Sequence, residues 1–244
     1  MPYLIATDLD GTLLRPDFTV SERTRIALRR AADAGVEVIY ATGRPPRWLP
    51  EVYETTGHRP ITVCANGALT LDGDDPVHVD GIAVDTVDEV QATLRELNTE
   101  FVFHTEQWRG HTLKILAALP DVDQREVDSV LQDVLGLVGH LVEPTHSASG
   151  RLLIEMGPGG VTKARAVDRE RARRWPDHTY LAVGDMPNDL ALLRSADVAL
   201  TVESGHRWLQ GISDHVLPGP AEDGLAQLLE YLVSGGSVSQ FTGQ

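Results

Sequence analysis

The sequence has very little cysteine and no long apolar segment. Cys64 is its single cysteine among 244 residues, which excludes an internal disulfide and indicates a reducing compartment. No apolar run approaches the roughly 18 residues that a membrane-spanning helix needs. The N-terminus also lacks a basic and then apolar targeting signal, because Asp8 and Asp10 interrupt its early apolar run. We therefore expect a soluble protein of the cytoplasm.

Positive charge is scarce as well. The chain has 21 Lys and Arg residues against 36 Asp and Glu residues, a formal net charge of −15. Nucleic acid and anionic membranes would be repelled by this charge, so neither is expected as a partner. An anionic small molecule would need a local positive site. The length allows a large core in one or two domains.

The opening of the chain places two carboxylates directly after a predicted strand. Residues 3–7 are suited to a buried strand, and Asp8, Asp10, Gly11 and Thr12 follow. With a spacing of two, both carboxylates lie on one face of an extended chain and repel each other. Mg²⁺ would remove this repulsion, and Gly11 permits a sharp turn with exposed N–H groups that suit an anion. The stretch predicts a combined metal and phosphate site.

The order of the predicted elements indicates a parallel sheet. A helix within residues 17–35, capped by Ser21, leads to a strand at 36–41, and further strands are predicted at 61–65 and 179–183. This alternation is typical of right-handed βαβ units. Edge strands at 197–200 and 215–217 and a helix at 222–233 complete the pattern, and residues 235–244 are expected to fray.

The middle of the chain has a different pattern, helix–strand–strand repeated twice. The predicted elements are a helix at 86–97, strands at 101–105 and 112–118, a second helix ended by Gly136, and strands at 137–142 and 151–156. We expect an α/β fold with a Rossmann-like doubly wound parallel sheet core, formed by residues 1–81 and 159–244. Residues 82–158 are predicted to form an inserted α+β cap domain.

Four polar clusters each follow a strand or begin a helix of this core. Carboxyl ends of parallel strands share one edge of a sheet, so the clusters are expected to converge. Oxygen ligands for Mg²⁺ would come from Asp8, the Asp10 backbone and Asp185, and donors for a phosphate from Thr42, Gly43 and Lys163. The clusters are Asp8/Asp10, Thr42/Arg44, Lys163 and Asp185/Asn188/Asp189.

These motifs resemble those of haloacid dehalogenase-superfamily phosphatases, in particular the Cof-type group with a cap between the second and third motifs. The resemblance implies that Asp8 is the nucleophile and that Asp10 is the general acid and then the base. It also implies a Mg²⁺ cofactor and a small phosphorylated metabolite, with a sugar phosphate favoured, as the substrate. The implied metal ligands are Asp8, Asp10, Asp185 and Asp189, and the implied substrate contacts are Leu9, Thr42, Gly43, Arg44, Lys163 and Asn188.

Several alternatives stay open from the sequence. A phosphosugar mutase would use the same Asp8 and Asp10, and a non-catalytic phospho-acceptor module also has acidic residues after its first strand. Arg44, before two prolines, could cover the turn instead of touching substrate, and Asp189 could hold Lys163 instead of the metal. The predicted cap has five polar candidates for substrate selection, each more often a surface residue: His104, Arg109, His111, His146 and Arg151. The oligomeric state is not indicated.

Overall fold

The computed structural model describes residues 2–119, 127–147 and 152–241. Its larger sheet has eight strands in the order β12-β11-β10-β1-β2-β3-β4-β5. The six strands from β12 to β3 run parallel, and β4 and β5 form an antiparallel hairpin at the edge. The bounds of these strands are β1 Tyr3–Thr7, β2 Glu37–Ala41, β3 Ile61–Cys64, β4 Leu69–Asp72, β5 Asp75–Val79, β10 Thr179–Gly184, β11 Val198–Val202 and β12 His215–Leu217.

Helices cover both faces of the larger sheet, and two more lie on a separate sheet. The helices are α1 Glu22–Asp33, α2 Leu49–Thr56, α3 Val84–Leu97, α4 Val127–Val138, α5 Lys163–Arg174, α6 Leu190–Ser195, α7 Arg207–Gln210 and α8 Gly224–Val233. Ser21 caps α1 by accepting from the Thr24 N–H, and Thr162 caps α5 by accepting from the Arg165 N–H. These two caps begin their helices where side-chain oxygens can satisfy free backbone N–H groups.

The central strand β1 is buried on both faces. Tyr3 and Ile5 pack into a core with α1 and α8, whereas Leu4 and Ala6 pack into a core with α5 and α6. Alternate residues of a strand point to opposite faces, so a fully apolar strand belongs between two layers of helices. The predicted doubly wound α/β core is confirmed.

A second, antiparallel sheet has four strands in the order β6-β7-β9-β8. Helices α3 and α4 pack on one face, and its core extends from Ile82 to Met156. The limits of the predicted cap domain, residues 82–158, stay a prediction. No helix within the described ranges is long and apolar enough to cross a membrane. The strand bounds are β6 Val102–Trp108, β7 His111–Leu119, β8 Val142–Ser147 and β9 Leu152–Pro158.

Two local predictions were wrong. Helix α4 continues past Gly136 to Val138, so residues 137–142 do not form a strand. Val134 and Val138, four residues apart, are both fully buried, and this packing outweighs the low helix propensity of an exposed glycine. The segment 235–241 packs against the core instead of extending away from it, because Val238 and Phe241 are buried beside α8. Residues 242–244 lie outside the described ranges.

Candidate active site

The four polar clusters lie at the carboxyl edge of the parallel sheet. Asp8 follows β1, and its N–H donates to the Val183 carbonyl of β10 at 2.9 Å. Thr42 follows β2, and its N–H donates to the Val63 carbonyl of β3 at 2.8 Å. Asp185 follows β10, and Lys163 is the first residue of α5. Continued strand pairing therefore fixes the residues directly after β1 and β2.

Three carboxylates of this edge lie close enough to share one cation. One carboxylate oxygen each from Asp8, Asp185 and Asp189 lies within 4.8 Å of the others, and all three residues are buried. The Thr12 hydroxyl donates to Asp185 Oδ1 at 3.2 Å and orients that carboxylate. Gly11 has φ +80°, and a Cβ atom there would overlap Asp185 Oδ2. Only glycine suits this turn beside the carboxylate.

Lys163 joins two of these carboxylates. Its Nζ donates to Asp8 Oδ1 at 2.6 Å and to Asp189 Oδ1 at 2.7 Å. The other oxygen of Asp189 accepts from the backbone N–H groups of Asp185 and Met186, at 3.1 and 3.2 Å. Asp189 is fully buried with both oxygens engaged, so it holds the lysine and the loop after β10 in place.

Burial strongly affects the ionisation of this cluster. It raises the pKa of Asp8 well above its usual value, although the charge of Lys163 opposes this. Burial, together with the charge of Asp189, raises the pKa of Asp185 to about 6. Burial alone would lower the pKa of Lys163, but the charges of Asp189 and Asp8 outweigh it and raise that pKa. Crowded carboxylates with one ammonium group leave an excess of negative charge that a cation would neutralise.

Asp10 lies outside the carboxylate cluster and faces Arg44. The Arg44 Nε donates to Asp10 Oδ2 at 2.8 Å and its Nη2 donates to Oδ1 at 2.5 Å, a bidentate ion pair. The Asp10 side chain is 46% exposed, whereas that of Arg44 is 8% exposed. Arg44 therefore orients a carboxylate that a substrate can still reach.

The loop after β2 also contacts the four-stranded sheet. Thr42 Oγ1 accepts from the Arg44 N–H at 3.0 Å, which fixes the loop, and the Gly43 carbonyl accepts from Lys114 Nζ at 2.6 Å. Lys114 also donates to Glu155 Oε2 at 2.5 Å, and the Asn66 amide donates to the same oxygen. Lys114 and Lys163 are the chain's only lysines, and both are buried.

The remaining predicted residues occupy varied positions. The Leu9 side chain is fully buried in the core, so only its backbone faces the site, and Asn188 is exposed in the short turn before α6. His104, Arg109 and His111 are exposed on β6, β7 or the turn between them. The His146 side chain and Arg151 lie outside the described residues.

Sequence reasoning overlooked three residues. The motifs give Thr12 no role and do not include Lys114 or Glu155. Lys114 is the one charged residue within the otherwise apolar residues 113–117 of β7. Glu155 is the one charged residue within the otherwise apolar residues 152–156 of β9. A charged side chain within such a segment is rarely buried without a partner, and this signal could have found both.

Known proteins resemble this chain along almost all of its length. The chain matches the haloacid dehalogenase-like hydrolase family over residues 5–110 and 105–229. It is 30% identical to a phosphoglycolate phosphatase from Pyrobaculum aerophilum, with 96% of this chain and 97% of the relative covered. It is 26% identical to the 5-amino-6-(5-phospho-D-ribitylamino)uracil phosphatase YcsE from Bacillus subtilis, with 94% and 95% covered. The crystal structure of SMU.1108c from Streptococcus mutans superposes with a TM-score of 0.82 at 16% identity, covering 96% of this chain and all of that one.

The family match and the named relatives assign the chain to the hydrolases, with phosphatases among its relatives. The chain belongs to the haloacid dehalogenase-like hydrolase family. The expected resemblance and the expected enzyme class are both confirmed.

Proposed function

We propose that this protein is a Mg²⁺-dependent phosphomonoesterase that hydrolyses a small phosphorylated metabolite through an aspartyl-phosphate on Asp8. One observation supports the proposal most: Lys163 bridges Asp8 and Asp189 while Asp185 lies within reach of the same point. A nucleophilic carboxylate, a positive charge and a cation site are thereby combined at one place.

The carboxylate cluster fits a divalent metal ion. Asp8 and Asp185 have oxygen atoms of the kind that Mg²⁺ prefers, and their burial without a cation is unfavourable. Asp189 is a further candidate ligand, although both of its oxygens already accept hydrogen bonds. When bound, Mg²⁺ would neutralise charge on the phosphoryl oxygens and allow an anion to approach Asp8.

The proposed reaction has two displacements. An Asp8 carboxylate oxygen attacks phosphorus, the bond to the ester oxygen breaks, and Asp10 gives its proton to the leaving oxygen. Asp10 then takes a proton from water as that water attacks phosphorus, and the bond to Asp8 breaks to release inorganic phosphate. Arg44 orients Asp10 throughout, and its bidentate contact must loosen when Asp10 carries the proton.

Donors around the phosphoryl group complete the site. The Thr42 hydroxyl oxygen already accepts from the backbone N–H of Arg44. Its own proton stays available for a hydrogen bond to a phosphate oxygen. The Gly43 N–H and Lys163 would add two more donors, with the exposed Asn188 as a fourth. Thr42 and Lys163 are fixed by the sheet and by α5, so they need little reorganisation when phosphate binds.

The substrate is proposed to be small, with a sugar phosphate favoured. Residues 82–158 would act as a cap, since Lys114 and Asn66 connect the four-stranded sheet with the loops of the core. A cap in this position would obstruct a large phosphoprotein. The two relatives act on a ribitylaminouracil phosphate and on phosphoglycolate, substrates of very different size. The names of these relatives therefore support a small phosphorylated metabolite as the class of substrate, and they do not indicate one particular compound.

Phosphate release from a panel of metabolite monophosphates tests the proposal. We expect activity with Mg²⁺, none in EDTA, and restoration by added Mg²⁺. Asp8→Asn should reduce kcat by at least about a thousandfold, because it removes the nucleophile, and Asp10→Ala should also inactivate. Asp33→Asn, which changes an exposed carboxylate at the end of α1, is the matched control. Full activity in EDTA would refute the metal role, and isomerised phosphosugar without free phosphate would indicate a mutase.

A further inference from the structure

Two exposed aromatic side chains flank Arg44 beside the general acid. The Arg44 guanidinium carbon lies 4.7 Å from the centre of the Phe18 ring and 5.9 Å from that of Trp48. Phe18 is 61% exposed and Trp48 is 48% exposed. Large apolar side chains gathered at the edge of a site are a frequent feature of ligand binding. The hydrolytic steps above use neither ring.

Phe18 is held in a conformation that its residue type rarely adopts. Its φ of +64° lies in the left-handed region, which is costly for a bulky side chain. A compact turn imposes it: the Phe18 N–H donates to the Arg15 carbonyl at 2.8 Å, and Asp17 accepts from the Thr19 N–H and hydroxyl at 3.1 and 2.7 Å. The strained turn exposes an aromatic ring instead of burying it.

The two rings lie close to the carboxylate at which the leaving group would begin. Asp10 protonates the leaving oxygen, so the organic part of the substrate begins next to its carboxylate. Arg44 contacts that carboxylate directly and both rings as well, so one guanidinium group separates each ring from the acid. Arg47 lies 5.2 Å from the Trp48 ring as well and pairs with Glu106 of β6. The rings therefore lie near the start of the leaving group, beside the four-stranded sheet.

We propose that Phe18 and Trp48 form a stacking surface for a planar ring carried by the leaving group. The substrate class is a sugar or polyol phosphate with a heteroaromatic ring joined to its carbon chain. Aromatic side chains bind such rings by offset or edge-to-face contact with little loss of side-chain freedom. The inference rests on the proposed phosphatase function and narrows its substrate.

A simpler role for both rings is to hold Arg44 by cation–π contact. That role acts through Asp10, so its loss would slow every substrate equally. A stacking role affects only substrates that carry a ring. The two roles are therefore separated by comparing substrates that share the same phosphorylated chain.

The experiment measures kcat/KM for two matched pairs of probes with Mg²⁺ present. Flavin mononucleotide is compared with D-ribitol 5-phosphate, and uridine 5′-monophosphate with D-ribose 5-phosphate. We expect the wild-type enzyme to prefer the ring-bearing member of at least one pair by roughly tenfold. Phe18→Leu and Trp48→Leu should each reduce that preference about three- to tenfold. Trp208→Leu, which removes a tryptophan of similar exposure, 50%, on α7, should leave it unchanged.

The outcomes separate this inference from the function on which it rests. Turnover of the ringless phosphates at equal or greater kcat/KM would overturn the stacking proposal and leave the phosphatase intact. An equal loss on both members of a pair in Phe18→Leu and Trp48→Leu would assign the rings to Arg44 alone and also overturn it. Absence of phosphate release from any monophosphate would instead refute the phosphatase function.

Discussion

Replacing Lys114 with methionine should loosen the contact between the four-stranded sheet and the loop after β2. The change keeps an unbranched side chain of similar length and removes a buried ammonium group, 4% exposed. Two charge-assisted hydrogen bonds are lost, one to the Gly43 carbonyl and one to Glu155. Glu155 keeps its hydrogen bond from Asn66 and loses its counter-charge.

The expected loss of stability is about 2–3 kcal/mol. Each charge-assisted hydrogen bond contributes roughly 1.5–3 kcal/mol, and breaking a fully buried ion pair costs about 3–5 kcal/mol. The Glu155 side chain is 21% exposed, so water compensates in part and the lower range applies. For a chain of this length the loss corresponds to a decrease in Tm of about 5–10 °C. Displacement of Gly43, between Thr42 and Arg44, should also lower kcat/KM by roughly tenfold.

Thermal unfolding and phosphate release measure the two effects. Glu155→Gln and the double variant Lys114→Met/Glu155→Gln complete a double-mutant cycle, in which we expect the double variant to be at least about 1 kcal/mol more stable than additivity predicts. An unchanged Tm in Lys114→Met would refute the reasoning, because it would mean that the buried ion pair contributes nothing. Additive losses would show that Lys114 and Glu155 are not coupled.

Three further predictions concern single residues. Gly11→Ala should lower kcat/KM at least about a hundredfold and weaken Mg²⁺ binding in calorimetry, because the added Cβ overlaps the Asp185 carboxylate; unchanged Mg²⁺ affinity would contradict this. Cys64 should resist Ellman's reagent at pH 8 until urea unfolds the chain, because burial raises its pKa to about 12; rapid labelling of the folded protein would contradict it. Burial lowers the pKa of His58, so its contribution to stability is complete above about pH 6.5 and is lost as the pH falls through the lowered value. The decrease in Tm between pH 7.5 and 5 should therefore be smaller in His58→Asn than in the wild type.

Much of the fold was predictable because its signals are local. The apolar strand at residues 3–7, the caps Ser21 and Thr162, and the glycine-rich turns each specify an element within a few residues. The errors arose where distant packing decided the outcome. Gly136 ended a helix in the prediction, yet the buried Val134 and Val138 carry α4 across it.

In the candidate site, too, some features could be predicted from the sequence and others depend on distant packing. A parallel sheet brings the ends of neighbouring strands together, so the proximity of Asp8 and Asp185, which follow β1 and β10, is expected from the topology. Lys163 joins them because α5, the helix that leads into β10, begins at the same edge. The topology does not predict which side chains form hydrogen bonds or ion pairs with each other. Nothing in the sequence near Arg44 distinguishes a contact with substrate from an ion pair with Asp10.

The same limit explains why substrate selection is hardest to infer from the sequence. Lys114 reaches the site from a different sheet, and its contact with Gly43 depends on how that sheet packs over the core. Phe18 is exposed because it lies in a turn with a positive φ, and residue propensities do not predict that conformation for phenylalanine. The residues proposed to perform the chemistry lie at strand ends or at the start of α5, whereas the residues that would select the leaving group depend on tertiary contacts. A substrate class inferred from motifs alone therefore rests on the first set and omits the second.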